Sequence, residues 1–411
     1  MDTLHVKFLH ILKTALLGGQ AEDPELTEQQ WEALVVMAGQ HKVLPMIFEA
    51  IRGIPALQNT SFLAELRQRS RQHILLQTRK SWDFLYLYTK LREAGVTPLV
   101  VKGIICRKLY PQMDHRASSD EDLLVGEEQF ARCSQVMTEL GMHTEATPEQ
   151  METDYEIPYH STTGPLFIEL HKWLFPPESE AYGDWNRFFD KALENAVFET
   201  VDGVSIATLE PTEHLFYLIL HAMKHFLHGG FGIRQICDIV LYANAWGDRV
   251  DWDRLLMQCQ QIRAEYFTAA LFQIGQNYLV FDPVKACCGA MWQQLQVSEE
   301  NLLRDVLLGG VYGSSTMSRR HSSSMTLSAA EAGKQNRKTG SGLRQSLFPS
   351  SSKLRRRYPW LKKAPWLLPV AWADRILRYG LQTGRSEDNS AAESWKIGNE
   401  RIALMREYKI I

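Results

Sequence analysis

Cysteine is scarce in this chain. The six in 411 residues (Cys106, Cys133, Cys237, Cys259, Cys287 and Cys288) never take C-x-x-C spacing. That argues against a disulfide framework or a zinc ribbon and makes a reducing cytoplasm the expected compartment. Long apolar runs are missing too. The longest late one, residues 366–373, is broken by Pro369 and falls far short of a bilayer span. Over residues 1–19 the apolar positions are interrupted by His5, Lys7, His10 and Lys13, which is helical spacing and not a secretion signal. A soluble, cytoplasmic protein is expected. Neither sign of charge dominates: 45 lysines and arginines against 48 acids leave −3, which names no nucleic-acid partner. With 45% hydrophobic and 23% charged residues, collagen-like and wholly disordered chains are excluded, and the length allows two or three domains.

What is present is unevenly spread. Residues 311–363 hold twelve lysines and arginines and one acid, Glu331, so a basic segment sits on an otherwise acidic protein. Residues 1–95 read as a helical region. Leu26, Trp31, Leu34, Val35, Met37 and Ala38 recur at helical spacing, and residues 61–94 read as one long helix or two joined ones, with Gly95 as a C-cap. From Val96 to residue 210 short β-rich runs appear: Leu99-Val100-Val101, residues 120–125, and two hairpins, 155–161 with 166–171 and 198–201 with 204–207. The second turns at Asp202-Gly203, a favoured two-residue loop. Helical spacing returns over 211–310. Residues 311–357, dense in serine and basic side chains, have too little apolar content for a core and read as disordered. Residues 358–411 regain pattern as a helical tail, with a helix expected around 371–381.

The most informative stretch is Lys102-Gly103 followed by Arg116-Ala117-Ser118-Ser119-Asp120-Glu121-Asp122-Leu123-Leu124-Val125. In an extended chain Asp120 and Asp122 project from one face, roughly 6.5 to 7 Å apart at Cα. Carboxylates held so can share hard cations such as Mg²⁺ or Mn²⁺. Glu169, in the alternating run 166–171, is the candidate third acid, since a carboxylate amid such a run is costly to bury without a partner. Gly103 would let backbone approach a phosphate, and Lys102 would add charge there. The competing reading of Asp120-Glu121-Asp122 is a solvated acidic turn.

These motifs resemble the bacterial uncharacterised nucleotidyltransferase family, within the polymerase-beta-like nucleotidyltransferase superfamily. The resemblance runs in order through Trp31-Glu32-Ala33-Leu34, Gly39-Gln40-His41-Lys42-Val43-Leu44-Pro45, the Lys-Gly and Ser-Asp-x-Asp-Leu-Leu-Val motifs, Ile168-Glu169-Leu170-His171, and residues 211–253 with His221, His225 and Asp238. It implies an α+β fold, a small mixed-sheet palm flanked by N-terminal and C-terminal helical regions. It also implies transfer of a nucleoside monophosphate from an NTP to an unidentified hydroxyl or phosphate acceptor. Asp120 and Asp122 would be metal ligands in a two-metal mechanism, and Glu169 a third ligand or general base. The nucleotide would meet Lys102, Gly103, Arg116, Ser119 and His171. Two positions depart from the superfamily: Lys102-Gly103 stands where Gly-Ser or Gly-Gly is common, and Glu121 where an apolar residue is usual. A non-catalytic nucleotide-binding or accessory module is the alternative.

The helix opening near Pro211 places His214, His221, His225 and His228 in one narrow stripe at about 100° per residue. Histidines at i and i+4 can chelate a transition metal. Alternatively His221, Lys224, His225 and Arg234 face nucleotide phosphates, or the stripe is structural and pairs with Asp238. In the basic segment no base-stacking motif accompanies the charge, which argues against nucleic acid. Trp360, Trp366 and Trp372 beside Lys362 and Lys363 suit weak membrane-surface association through 353–381, against the simpler reading of a solvated linker and packed helices.

Overall fold

Apolar spacing over the first ninety-odd residues becomes helices with their own stop signals: α1 (Thr3–Leu16), α2 (Glu28–Gln40), α3 (Leu44–Ile51) and the 33-residue α4 (Ser61–Glu93). Asp2 and Thr60 cap the first amides of α1 and α4, and Thr27 with Gln30 forms a reciprocal capping box on α2. Gly95, at φ +79°, ends α4 as expected. The computed structural model describes residues 1–310, 317–334, 354, 358–374 and 391–411.

The sheet follows: β1 (Leu99–Val100), α5 (Gly103–Arg107), β2 (Glu121–Leu124), α6 (Glu127–Glu139), β3 (Met142–His143), α7 (Pro148–Thr153), β4 (Glu156–Ser161) and β5 (Phe167–His171). Among the described residues it has five strands in the order β1-β2-β5-β4-β3. Only β2 and β5 run parallel, so the sheet is mixed. Every residue of β2 is buried, as a strand flanked by two others and covered by helices requires. The second hairpin, β6 (Val197–Val201) with β7 (Val204–Thr208), turns at Asp202 (φ +45°) and Gly203 (φ +81°), both in the left-handed conformation its tight loop demands. Helix α5 is only five residues long because the chain turns into Tyr110-Pro111.

Tyr88 ties α4 to both sheets. Its hydroxyl donates to the Pro98 carbonyl (3.0 Å) and accepts from the Ala207 amide (2.8 Å) in the core. Tyr88→Phe strands that buried amide, so urea unfolding is expected to show a loss of about 1–3 kcal/mol with an unchanged m value.

Helices α8 (Pro211–His228), α9 (Ile233–Trp246), α10 (Trp252–Gln261), α11 (Glu265–Tyr278), α12 (Ala290–Gln294) and α13 (Glu300–Gly309) complete the main body. The serine-rich segment corrects the expectation of disorder where it is described. Residues Met317–Lys334 form a helix, α14, packed against α8 and against α15 (Ala391–Glu407). Small residues replace bulk there. Ser322, Met325, Thr326, Ala329 and Ala330 are buried, and Gly398 of α15 lies against Met325. Arg319 is neutralised by Asp305 and donates to the Gly229 carbonyl. Low apolar content thus hid a helix that docks through small side chains and hydrogen bonds. Residues 335–353 and most of the expected 371–381 helix lie outside the described residues. The structure is α+β, as the resemblance implied, and no described helix is long and apolar enough to cross a membrane. Trp366 is 75% exposed.

Candidate active site

Parallel pairing sets Asp122 of β2 opposite Glu169 of β5, so the two carboxylates leave the sheet on one face. Asp120 precedes β2 with the same parity. All three line one wall of a cavity of about 780 Å³, with His171 beside them. Donor atoms of Asp122, Glu169 and His171 lie within 4.8 Å of one another. Asp120 stands outside that tightest group and joins it through Lys102, whose Nζ is 3.0 Å from Asp122 and 3.8 Å from Asp120.

The electrostatics are those of buried, compensated charge. Burial opposes ionisation of Lys102, but Asp122 and Asp120 outweigh it and raise the ammonium well above its usual range. Burial likewise opposes charge on His171. Its contacts with Asp122 (3.3 Å) and Glu169 (3.7 Å) prevail and hold the imidazole up at about 9. Asp122 is pulled down against burial by Lys102 and His171. Glu169 is pushed up by burial and by its neighbours Asp122 and Asp120, against the hydrogen bond from His171. One carboxylate is thereby kept firmly anionic while the next is biased toward accepting a proton.

Glu121 is no member of this set, nor is it a solvated turn. Being one residue off in a strand, it points to the opposite face, where it is buried on Arg107 and accepts the Ile104 amide (2.9 Å). Its carboxylate fills the space over Gly103: a Cβ there would sit 1.9 Å from Glu121 Oε2, and φ is +46°. Glycine is needed at 103 for Glu121.

Helix α8 forms the facing wall. His221 Nε2 lies 3.0 Å from Lys102 Nζ and 3.1 Å from His225 Nε2, and burial with these cationic neighbours keeps both rings well below the usual histidine range. Lys224 borders the same cavity over the ring of Tyr155, and Tyr182 meets His228 at 2.5 Å. The stripe is not used along its whole length. His214, about 21 Å from His228 along the axis, is instead packed on Tyr242 and bonded to Thr208 Oγ1, and burial lowers it to about 3.

Arg116 and Arg234 converge elsewhere. Arg116 makes a bidentate pair with Asp238 (2.9 and 2.7 Å), which also accepts from Tyr110 (2.7 Å) and lies 3.5 Å from Arg234. Asp238 therefore serves arginines, not the histidine stripe. Ser119 receives Lys42 on its hydroxyl. Several cavity residues escaped the sequence reading: Glu156, Tyr155, Tyr182 and Tyr217, together with Leu327 and Glu331 of α14. Only Tyr217 carried a local signal, lying one helical turn before His221; the others arrive by tertiary packing.

A family profile described as uncharacterised nucleotidyltransferase matches residues 27–279, from the cap of α2 to the end of α11 and more than half of the chain. Among solved structures the chain is similar to an antigenic nucleotidyltransferase-like protein from Paracoccidioides brasiliensis, with 15% identity and a TM-score of 0.30, over 51% of this chain and 95% of that one. No curated protein matches it. The chain belongs to the uncharacterised nucleotidyltransferase family.

Proposed function

We propose that this protein transfers a nucleoside monophosphate from an NTP to a hydroxyl or phosphate acceptor and releases pyrophosphate. The observation that carries the reading is the parallel register of Asp122 with Glu169 on the wall of a cavity large enough for a nucleotide, faced by Lys224 and His221. The carboxylates fit a divalent cation, Mg²⁺ or Mn²⁺, held by Asp120 and Asp122 with Glu169 as a third ligand or as the base, and the cationic His171 adjoins them. Such an ion, when bound, supplies Lewis-acid stabilisation of phosphoryl oxygens. In the transfer the acceptor oxygen forms its bond to the α-phosphorus as the bond to the bridging oxygen breaks, and pyrophosphate leaves with that electron pair. Where Asp120 and Asp122 hold the ion, the acceptor's proton passes to Glu169 on the neighbouring strand. Lys102, Gly103, Arg116, Ser119, His171, His221, Lys224, His225 and Arg234 form the nucleotide's surroundings in this reading.

A second reading, nucleotide binding without transfer, is favoured by Lys102 Nζ standing 3.0 Å from Asp122, where an ammonium competes with a metal. Isothermal titration with ATP and its three counterparts, with and without Mn²⁺, separates the two when paired with a pyrophosphate-release assay against sugars, peptides and aminoalcohols. Transfer predicts metal-dependent binding, at least about tenfold tighter with Mn²⁺, together with pyrophosphate release. Tight binding with no release against any acceptor class supports the second reading.

A further inference from the structure

We propose that Lys42, at the corner after α2, and Lys80, in α4, complete a phosphoryl-binding niche for the terminal phosphate of the nucleotide. The niche rests on the transfer reading for its ligand and adds Lys42 and Lys80 to the residues named there. Behind Asp120 lies a niche of about 30 Å³ bordered by Lys102, Gly103, Arg116, Ser118 and Arg234. That is room for roughly two waters, hence for oxygens at the tip of a phosphoryl group and not for a base or a sugar. Lys102, Asp120 and His221 border both this niche and the large cavity, so an anion chain can pass from one to the other across them.

The niche is built for negative charge that its own carboxylates do not supply. Arg116 is 2% exposed and spends two nitrogens on Asp238, while its Nη1 has no hydrogen-bond partner. Arg234 Nε is buried and equally unmatched. The lysines reach its rim through the Ser118-Ser119 backbone: Lys80 donates to the carbonyls of Ser118, a lining residue, and Ser119 (3.0 Å each), and Lys42 to the Ser119 hydroxyl. Neither lysine has a carboxylate within ion-pair distance among the described residues. Five cations (Lys42, Lys80, Lys102, Arg116 and Arg234) thus face three carboxylates, Asp120, Asp122 and Asp238. Burial and then repulsion by Arg234, Lys80 and Arg116 lower the affinity of Lys42 for its proton, against the attraction of Asp120. Such an excess is relieved by a compact polyanion.

Lys42 is also placed deliberately by its neighbours. It takes φ +56°, an unusual conformation for lysine, at the corner after α2. His41 fixes that corner: its Nδ1 accepts from the Ile233 amide at the start of α9, and its Nε2 donates to the Leu307 carbonyl (3.3 Å each). The same imidazole therefore locks the lysine-bearing turn to the helix that carries Arg234.

The test is calorimetric titration of the full chain with inorganic pyrophosphate, inorganic phosphate, ATP and AMP at fixed Mn²⁺ and ionic strength. The variants are Lys42→Gly, which suits the positive φ, Lys80→Met and the pair, with Lys42→Arg and Lys80→Arg as conservative controls. Each single loss is expected to weaken ATP and pyrophosphate about tenfold, and the pair about a hundredfold, while AMP is unchanged and the arginine variants retain most affinity. Binding of inorganic phosphate as tight as pyrophosphate would assign the niche to free phosphate and overturn the nucleotide assignment. Equal weakening of AMP, or unchanged pyrophosphate affinity in the folded double variant, overturns the niche. If the wild type releases pyrophosphate from NTPs and the double variant does so with unaltered KM, the niche falls and the transfer reading stands. If pyrophosphate binds as expected but no NTP turns over, the niche stands and the transfer reading falls.

Discussion

Asp122→Asn is expected to lower pyrophosphate release by about a thousandfold or more, comparable to losing a principal electrostatic group from an active site. The carboxylate is 1% exposed and sits at the centre of the wall, 3.0 Å from Lys102 and 3.3 Å from His171. Asparagine keeps its volume and an oxygen that can still accept from His171, while Lys102 keeps Asp120 as a partner. What disappears is one negative charge at the point where a cation and the reacting phosphate must meet. The melting temperature is therefore expected to shift by only a few degrees in differential scanning fluorimetry, with Mn²⁺ affinity falling alongside turnover. Retained turnover in a folded Asp122→Asn protein would remove the proposed mechanism.

Much of this wall was legible in the sequence because its logic is local. Period-two alternation alone put Asp120 and Asp122 on one face and Glu169 with His171 on another strand's matching face, and the chain pairs those strands in register. The turn residues Asp202-Gly203 named their hairpin for a similarly local reason. The missing parts depend on contacts between residues far apart in the chain. No periodicity tells that His214 ends beneath Tyr242 while His221 reaches Lys102, because a helical wheel omits where along its axis a neighbour begins. Arg116 reads as an unencumbered phosphate ligand, whereas Asp238, in a helix more than a hundred residues later, claims two of its nitrogens and leaves Nη1 alone unmatched. Composition misjudged α14 because a helix that docks by serine, alanine and threonine buries little hydrocarbon per residue.

Glu121→Ala is expected to destabilise the fold by about 3–5 kcal/mol, because it leaves the guanidinium of Arg107 buried without its counter-charge. Arg107 is 0% exposed, and its one charged partner among the described residues is Glu121; Ser118 Oγ accepts its remaining hydrogen bond at 2.7 Å. The Ile104 amide loses its acceptor as well, so α5 loses the group that starts it. Urea unfolding checks the value. Replacing both residues, as Arg107→Met with Glu121→Met, should recover most of the loss, since two apolar side chains of similar volume remove the unpaired charge. If Glu121→Ala unfolds at the wild-type midpoint, the pair does not hold β2 to α5. The outcome also bears on the departure at position 121. An acid between the two aspartates is accommodated by an arginine on the other face of the sheet, fourteen residues earlier, so an ion pair stands where the resemblance implies an apolar contact. That exchange leaves the face bearing Asp120 and Asp122 untouched, which is why a residue that looks like a break in the motif need not disturb the chemistry beside it.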